Sequence, residues 1–193
     1  MSARREETRR RLFHATATLI AEQGFAAASV DQIAERAGVA KGTVYYNFGG
    51  KTDLVTSLLA WGISRLAEEM RTAAETAPAE RALTEVLRAE LAFIGEHEAF
   101  ARLLVSEAWQ TNQAWHSTVH KIRTEAIAVI SNVLDEAVVR GETPAGLDTG
   151  VTASALFGMV LTVALDWRTL QPQRPMHEIQ AILIRLAQGM VAR

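Results

Sequence analysis

Residues 29–51 read SVDQIAERAGVAKGTVYYNFGGK, and the rest of the chain is organised around them. Ser29 is a good N-cap and Gln32 stands three residues on, as a capping box requires. Val30, Ile33, Ala34 and Ala37 fall at i, i+3, i+4 and i+7 and make one apolar face, while Asp31, Glu35 and Arg36 take the other side. Gly38 follows the last periodic residue, where a helix end wants the left-handed conformation. A helix this short is not stable alone, so it has to pack on neighbours.

A second short helix follows, and an ordinary surface role does not explain it. Ala40, Val44 and Phe48 are four apart and face inward together, leaving Lys41, Gly42, Thr43, Tyr45, Tyr46 and Asn47 outward or sideways. A solvated face would be filled with Glu, Lys and Ala. Here two adjacent aromatics, a hydroxyl, an amide and one cation stand together, and no acid occurs from Gly38 to Gly50. Tyr and Thr hydroxyls, an Asn amide and a Lys ammonium all donate to phosphate oxygens, and several also meet base edges. Gly42 lets a backbone approach closely. Two short helices joined by a Gly-containing turn, the second presenting donors, describe a helix-turn-helix that reads double-stranded DNA.

The stretch resembles the N-terminal domain of the tetracycline-repressor (TetR) family of bacterial transcription regulators. The matching residues are Ile33-Ala34, Ala37-Gly38-Val39, Lys41-Gly42-Thr43, Tyr45-Tyr46, Phe48, Lys51 and Leu54. Upstream, Leu19-Ile20, Gly24-Phe25 and Ser29-Val30 also fit. The resemblance is close over roughly the first quarter of the chain and extends to the remainder in helical layout and length. Ala40 stands where the family commonly has Ser, Asn47 where it commonly has His, and Gly49-Gly50 makes a floppier exit. The resemblance implies DNA contacts by Ser29, Lys41, Gly42, Thr43, Tyr45, Tyr46, Asn47 and Lys51, with Lys51 on a phosphate. It also implies that the helix opened by Lys51 is a lever joining head to body.

Composition sets the bounds. A chain of 193 residues, 49% of them apolar, suits a small head with a larger body and a real core. The absence of cysteine excludes a disulfide framework and a Cys-based metal site. Met1 to Arg11 is charged and reads as no signal peptide. The longest uncharged run, Thr149 to Leu165, holds threonines, a serine and glycines between two acids, so a buried or interface helix is expected and a membrane span is not. A soluble, cytoplasmic protein follows. The formal charge of -2 divides unevenly: residues 1–52 hold eight Lys or Arg against five acids, and residues 53–193 hold twelve against seventeen. A basic head on an acidic body fits a protein that meets DNA at one end. Arg4, Arg5, Arg9, Arg10 and Arg11 read as a basic arm or a solvated tail.

Helices are expected over Glu6–Gln23, Lys51–Thr76, Ala79–His97, Glu98–Trp109, Ala114–Arg140, Thr149–Leu170 and Met176–Val191, with no strand. The expected fold is therefore all-α with about nine helices: a three-helix head over residues 1–50 and a bundle over residues 51–193 for ligand binding and dimerisation. The last two helices are too apolar for a monomer's surface, and Leu156, Gly158, Ile179, Ile182, Leu183 and Leu186 are expected in a homodimer interface. Trp61, Arg65, Phe93, Arg102, Glu107, Trp109, His116, His120, Arg123, Met159 and Trp167 mix aromatics with polar groups and are the candidates for the pocket of a hydrophobic small-molecule effector. His116 and His120 have a metal-ligand spacing, but Ser117 breaks the HExxH pattern and no third ligand is evident, so no metal is expected. No nucleophile elbow and no phosphate loop occurs, so neither a catalytic residue nor a cofactor is expected. The favoured reading is a dimeric, effector-released repressor of a palindromic operator. The alternatives are a helical small-molecule binder or enzyme that keeps a helix-turn-helix, and a helical scaffold for another protein.

Overall fold

The computed structural model describes residues 3–107 and 115–191. Among them the chain is all-α: α1 (Ala3–Ala27), α2 (Val30–Ala37), α3 (Lys41–Phe48), α4 (Lys51–Thr76), α5 (Ala82–Glu96), α6 (Glu98–Glu107), α7 (His116–Val139), α8 (Thr149–Leu170) and α9 (Met176–Val191). A 3-10 turn at Ala79–Arg81 replaces the expected start of α5, because Pro78 and the extended backbone there precede the first α-helical turn. α1 is longer than expected at both ends. Gly24, at φ 81°, does interrupt it, but one further turn follows and the Ala28 N–H returns to the Gly24 carbonyl at 3.3 Å. Trp109 and the expected turn at Gln110–Gln113 lie outside the described residues.

Two compact units result, Met1–Gly62 with Ala99–His120, and Ile63–Glu98 with Lys121–Arg193. In the first, α1 packs on α2 and α2 on α3. Leu12, Leu19 and Ile20 of α1, Ile33 and Ala37 of α2, Val44 and Phe48 of α3 and Leu54 and Leu58 of α4 are all buried. The Phe13 ring lies 5.5 Å from both the Phe48 and the Trp61 rings. Each large apolar side chain buried this way contributes about 1.5–3 kcal/mol, which the eight-residue helices need because isolated helices of that length do not persist. Gly62 serves a different purpose: a Cβ there would overlap the Phe100 ring, so only glycine lets α4 and α6 meet this closely.

In the second unit α5 packs on α8 and α9, and α8 on α9. Asp148 caps α8 by accepting from the Val151 N–H at 2.9 Å. By length and composition α8 could cross a membrane. Its buried residues, however, are Ala153, Leu156, Phe157, Val160, Ala164 and Trp167, the helical spacing of one face seated in a bundle. The same packing places Glu90 of α5 in the interior with no exposed surface, and neither carboxyl oxygen has a hydrogen-bond partner among the described residues. Burial pushes this carboxyl well above its ordinary value of 4.5. Below that value the group is protonated in the folded and unfolded chains alike. Above it the unfolded chain ionises first, so the folded state loses stability as pH rises. Glu90→Gln removes the ionisation. We expect the variant to match the wild type in thermal melts near pH 4 and to exceed it increasingly toward pH 7, by at most about 1.4 kcal/mol per pH unit. Parallel melting curves across that range would contradict the burial.

Candidate nucleic-acid interface

The turn between α2 and α3 is built as the sequence suggests. The Ser29 hydroxyl accepts from the Gln32 N–H at 3.2 Å, and the Gln32 side-chain oxygen accepts from the Ser29 N–H at 2.9 Å, completing a capping box. Gly38 ends α2 at φ 63°, ψ 42°. A Cβ at Gly38 would also lie 2.6 Å from an Arg11 nitrogen, because the Arg11 guanidinium donates to the Ala37 and Gly38 carbonyls, the latter at 3.0 Å. A cation on the unpaired carbonyls at a helix C-terminus is favoured by the helix dipole. Arg11 is thus committed to the fold and is not part of a free arm.

Lys51 does the corresponding work at the end of α1. Its ammonium donates to the Phe25 carbonyl at 2.8 Å and the Ala28 carbonyl at 2.7 Å, and lies 4.2 Å from the Phe25 ring centroid. These contacts join the start of α4 to the residues just ahead of Ser29. Two of its three donors are engaged, which leaves one for a phosphate. Phe25 in turn takes the edge of Trp115 at 4.6 Å.

α3 carries the exposed chemistry. Tyr46 is 80% exposed and Tyr45 48%, whereas Val44 and Phe48 are buried beneath them. Arg5 sits 5.9 Å over the Tyr46 ring, and Arg9 sits 4.7 Å over Phe48. Lys41 pairs with Asp31 at 2.9 Å, and its pKa is raised by that hydrogen bond and the Asp31 charge. Both groups are solvated, so this pair contributes little and can yield to phosphate. Ala40 provides no side-chain cap, and the first turn of α3 holds no acid, so its leading N–H groups and their positive dipole end remain available to an anion. Gly42 is exposed and a Cβ there would meet nothing within 4 Å. Thr43 is half-buried. Asn47 is turned onto its own helix, its amide donating to the Thr43 carbonyl at 2.8 Å, because that i−4 acceptor is nearer than solvent. Its side-chain oxygen is buried without a partner among the described residues.

The effector candidates are divided between the two compact units. Trp61, Arg102, His116 and His120 belong to the first unit, and Arg65, Phe93, Arg123, Met159 and Trp167 to the second. Trp61 is half-buried against Phe13, and the His116 and His120 rings stack at 6.4 Å. Arg65 is solvated and pairs with Glu69 at 2.8 Å. Phe93 is buried, Met159 half-buried, and the buried Trp167 donates its indole N–H to the Arg174 carbonyl at 2.9 Å. The Glu107 side chain and Trp109 lie outside the described residues. Of the expected interface residues, Leu156, Ile179 and Leu183 are buried within the chain itself, because α8 and α9 turn these side chains onto its own core. Ile182 and Leu186 are exposed, as is Met190 one turn further on, and Gly158 is partly exposed. Sequence reasoning overlooked Glu90, although a lone acid on the apolar stripe of Val86 and Ile94 was a visible signal.

A short helix, a glycine-ended turn and a second helix bearing exposed donors, held by α1 and α4, form a helix-turn-helix DNA-binding head. Residues 12–58 match the family model for bacterial regulatory proteins of the tetR family. Over those residues the head is similar to the DNA-binding domain of that family, and the chain is a DNA-binding transcriptional regulator. The fatty acid metabolism regulator protein of Bacillus subtilis (strain 168) is 27% identical over 160 residues, 81% of this chain and 81% of that one. The HTH-type transcriptional regulator SrpR of Pseudomonas putida is 27% identical over 190 residues, 97% of this chain and 85% of that one. In fold, the chain resembles the transcriptional regulator FadR of Bacillus subtilis in complex with stearoyl-CoA, with a TM-score of 0.81 at 23% identity over 94% of this chain and 98% of that one.

Because the Lys51 ammonium ties α1 to α4, Lys51→Met should keep the packing of the stem yet lower the stability of the protein by about 1.5–3 kcal/mol, the usual loss for charged hydrogen bonds. An unchanged melting temperature would contradict the tie.

Proposed function

We propose that this regulator is a homodimeric repressor that reads a palindromic operator with α3 and leaves it when an acyl-CoA binds the body. The observation that carries the DNA assignment is the exposed face of α3, where Lys41, Tyr45 and Tyr46 stand in a stretch without acids. Thr43 and the leading N–H groups of α3 supply further donors to phosphate, and Ser29 at the start of α2 would exchange the Gln32 side-chain oxygen for phosphate. Gly42 leaves room for the duplex. Lys51 holds the head and keeps one N–H for a phosphate, while Asn47 would reach DNA only through its amide N–H groups, one of which meets the Thr43 carbonyl.

Dimerisation is supported by an apolar stripe that one chain leaves uncovered. Ile182, Leu186 and Met190 recur every four residues along α9 and are 39%, 51% and 43% exposed. Val151 and Leu170 of α8 are exposed as well. Soluble monomers rarely leave such a stripe to water, and a two-fold four-helix bundle would cover it. A twin also supplies the second recognition helix that a palindrome requires. Residues 1–50 then serve DNA, and residues 51–193 serve the effector and the twin, in the cytoplasm.

The effector class is supported by the relatives: one is a fatty acid metabolism regulator, and a similarly folded one is in complex with stearoyl-CoA. In the second unit Phe93 and Phe157 are buried and Arg123 lies 5.6 Å over the Phe157 ring, and these are the side chains an acyl chain would meet in this reading. Entry of the ligand would be felt in α4, a continuous helix from Lys51 to Thr76.

Tyr46→Ala should weaken operator binding by about tenfold or more and leave the melting temperature alone, since that side chain supports no core. Lys41→Ala should weaken all duplexes alike and reduce the salt slope by about one unit. Fluorescence anisotropy at two salt concentrations checks both, and unchanged affinity would remove the residue from the contact surface. Palmitoyl-CoA should release the protein from its operator while free coenzyme A does not. No release by short-, medium- or long-chain acyl-CoA would overturn the effector assignment.

A further inference from the structure

Glu90 is the most anomalous group in the second unit. Both of its carboxyl oxygens are buried, and neither meets a donor or acceptor among the described residues. A buried polar group left this way is costly and is rarely retained without a use. Its helical neighbours on the same stripe, Val86, Phe93 and Ile94, are 0%, 1% and 2% exposed. The face of α8 turned into this unit is equally apolar, with Leu156, Phe157 and Val160 all buried.

Among the described residues Glu90 is not half of an ion pair. Three cations of the second unit have other partners: Arg88 of the same helix pairs with Glu85 at 2.6 Å, Arg168 with Glu98 at 3.1 Å, and Arg123 lies over the Phe157 ring. In such surroundings the carboxyl is held neutral, so it carries one O–H donor and one carbonyl acceptor. A neutral acceptor brought in by a largely apolar molecule would satisfy the O–H without adding a second charge. A fully charged partner would bring its own desolvation penalty into the same interior.

An acyl-CoA has one neutral acceptor at the root of its apolar chain, the thioester carbonyl. We propose that Glu90 donates a hydrogen bond to that carbonyl and so selects acyl thioesters among apolar chains of similar length. This rests on the acyl-CoA reading above. The hydrogen bond restores to the carboxyl the partner that folding removed, so it exists only in the complex. An apolar chain without an acceptor leaves the carboxyl unsatisfied and binds less well by the worth of that bond.

The test compares palmitoyl-CoA with S-hexadecyl-CoA, a thioether of similar shape without the carbonyl, by titration calorimetry on the full-length protein. The wild type should prefer the thioester by about five- to tenfold, the effect of one buried hydrogen bond. Glu90→Gln keeps a donor at the same place and should retain the preference within about twofold. Glu90→Leu should bind both ligands equally. Thermal melts of the unliganded variants verify that both fold, and a general loss of packing would lower both affinities without removing the preference. A preference that survives in Glu90→Leu would overturn the role of Glu90 while leaving the acyl-CoA reading intact. Failure of the wild type to bind either ligand would overturn both.

Discussion

Two helices of eight residues each cannot maintain their own geometry, and the function of this protein depends on holding one of them at a fixed angle. Two cations on helix ends meet that constraint. Arg11 of α1 holds the carbonyls that end α2, and Lys51 of α4 holds one carbonyl in the last turn of α1 and one just after it. Each satisfies groups that a helix leaves unpaired, and each opposes the negative end of a dipole. Together they bind α1, α2 and α4 into a frame, while Val44 and Phe48 anchor α3 from below. The exposed face of α3 can then consist almost entirely of groups that do nothing for the fold. That division explains how Tyr46 can stand mostly in water on a well-defined helix.

Much of this was legible because it is local. The capping box at Ser29 and Gln32, the left-handed glycine at position 38 and the bounds of α8 and α9 depend on residues a few positions apart, where spacing alone carries the information. The roles of Arg11 and Lys51 were not legible. Their acceptors lie 23 to 27 residues away, and charge at an N-terminus reads equally well as a DNA-binding arm. The Asn47 bond was not legible either: its amide donates to the Thr43 carbonyl of its own helix, a local choice that residue type alone does not reveal.

The body shows a second limit. Aromatic and polar residues that stand out in a sequence do not by themselves show which neighbours each one meets. Trp61 packs on Phe13 in the first unit, while Trp167 is committed to Arg174 in the second. Glu90 attracted no notice because it lies inside a well-formed apolar stripe, where a single acid does little to the periodicity. Only burial exposes it as a group that lowers stability without an evident return in the unliganded fold. Places where a protein departs from the rules that stabilise it are where function is most often found.

The central claim is that α3 reads a symmetric sequence as one of a pair. Its most direct test is selection of the purified protein against a library of random duplexes at low and at near-physiological salt, followed by sequencing of what is retained. The account predicts one enriched palindrome, with half-sites about one helical turn apart, that persists at the higher salt. Retention that is blind to sequence and vanishes as salt rises would show the basic head to be an electrostatic patch only, and would contradict the account.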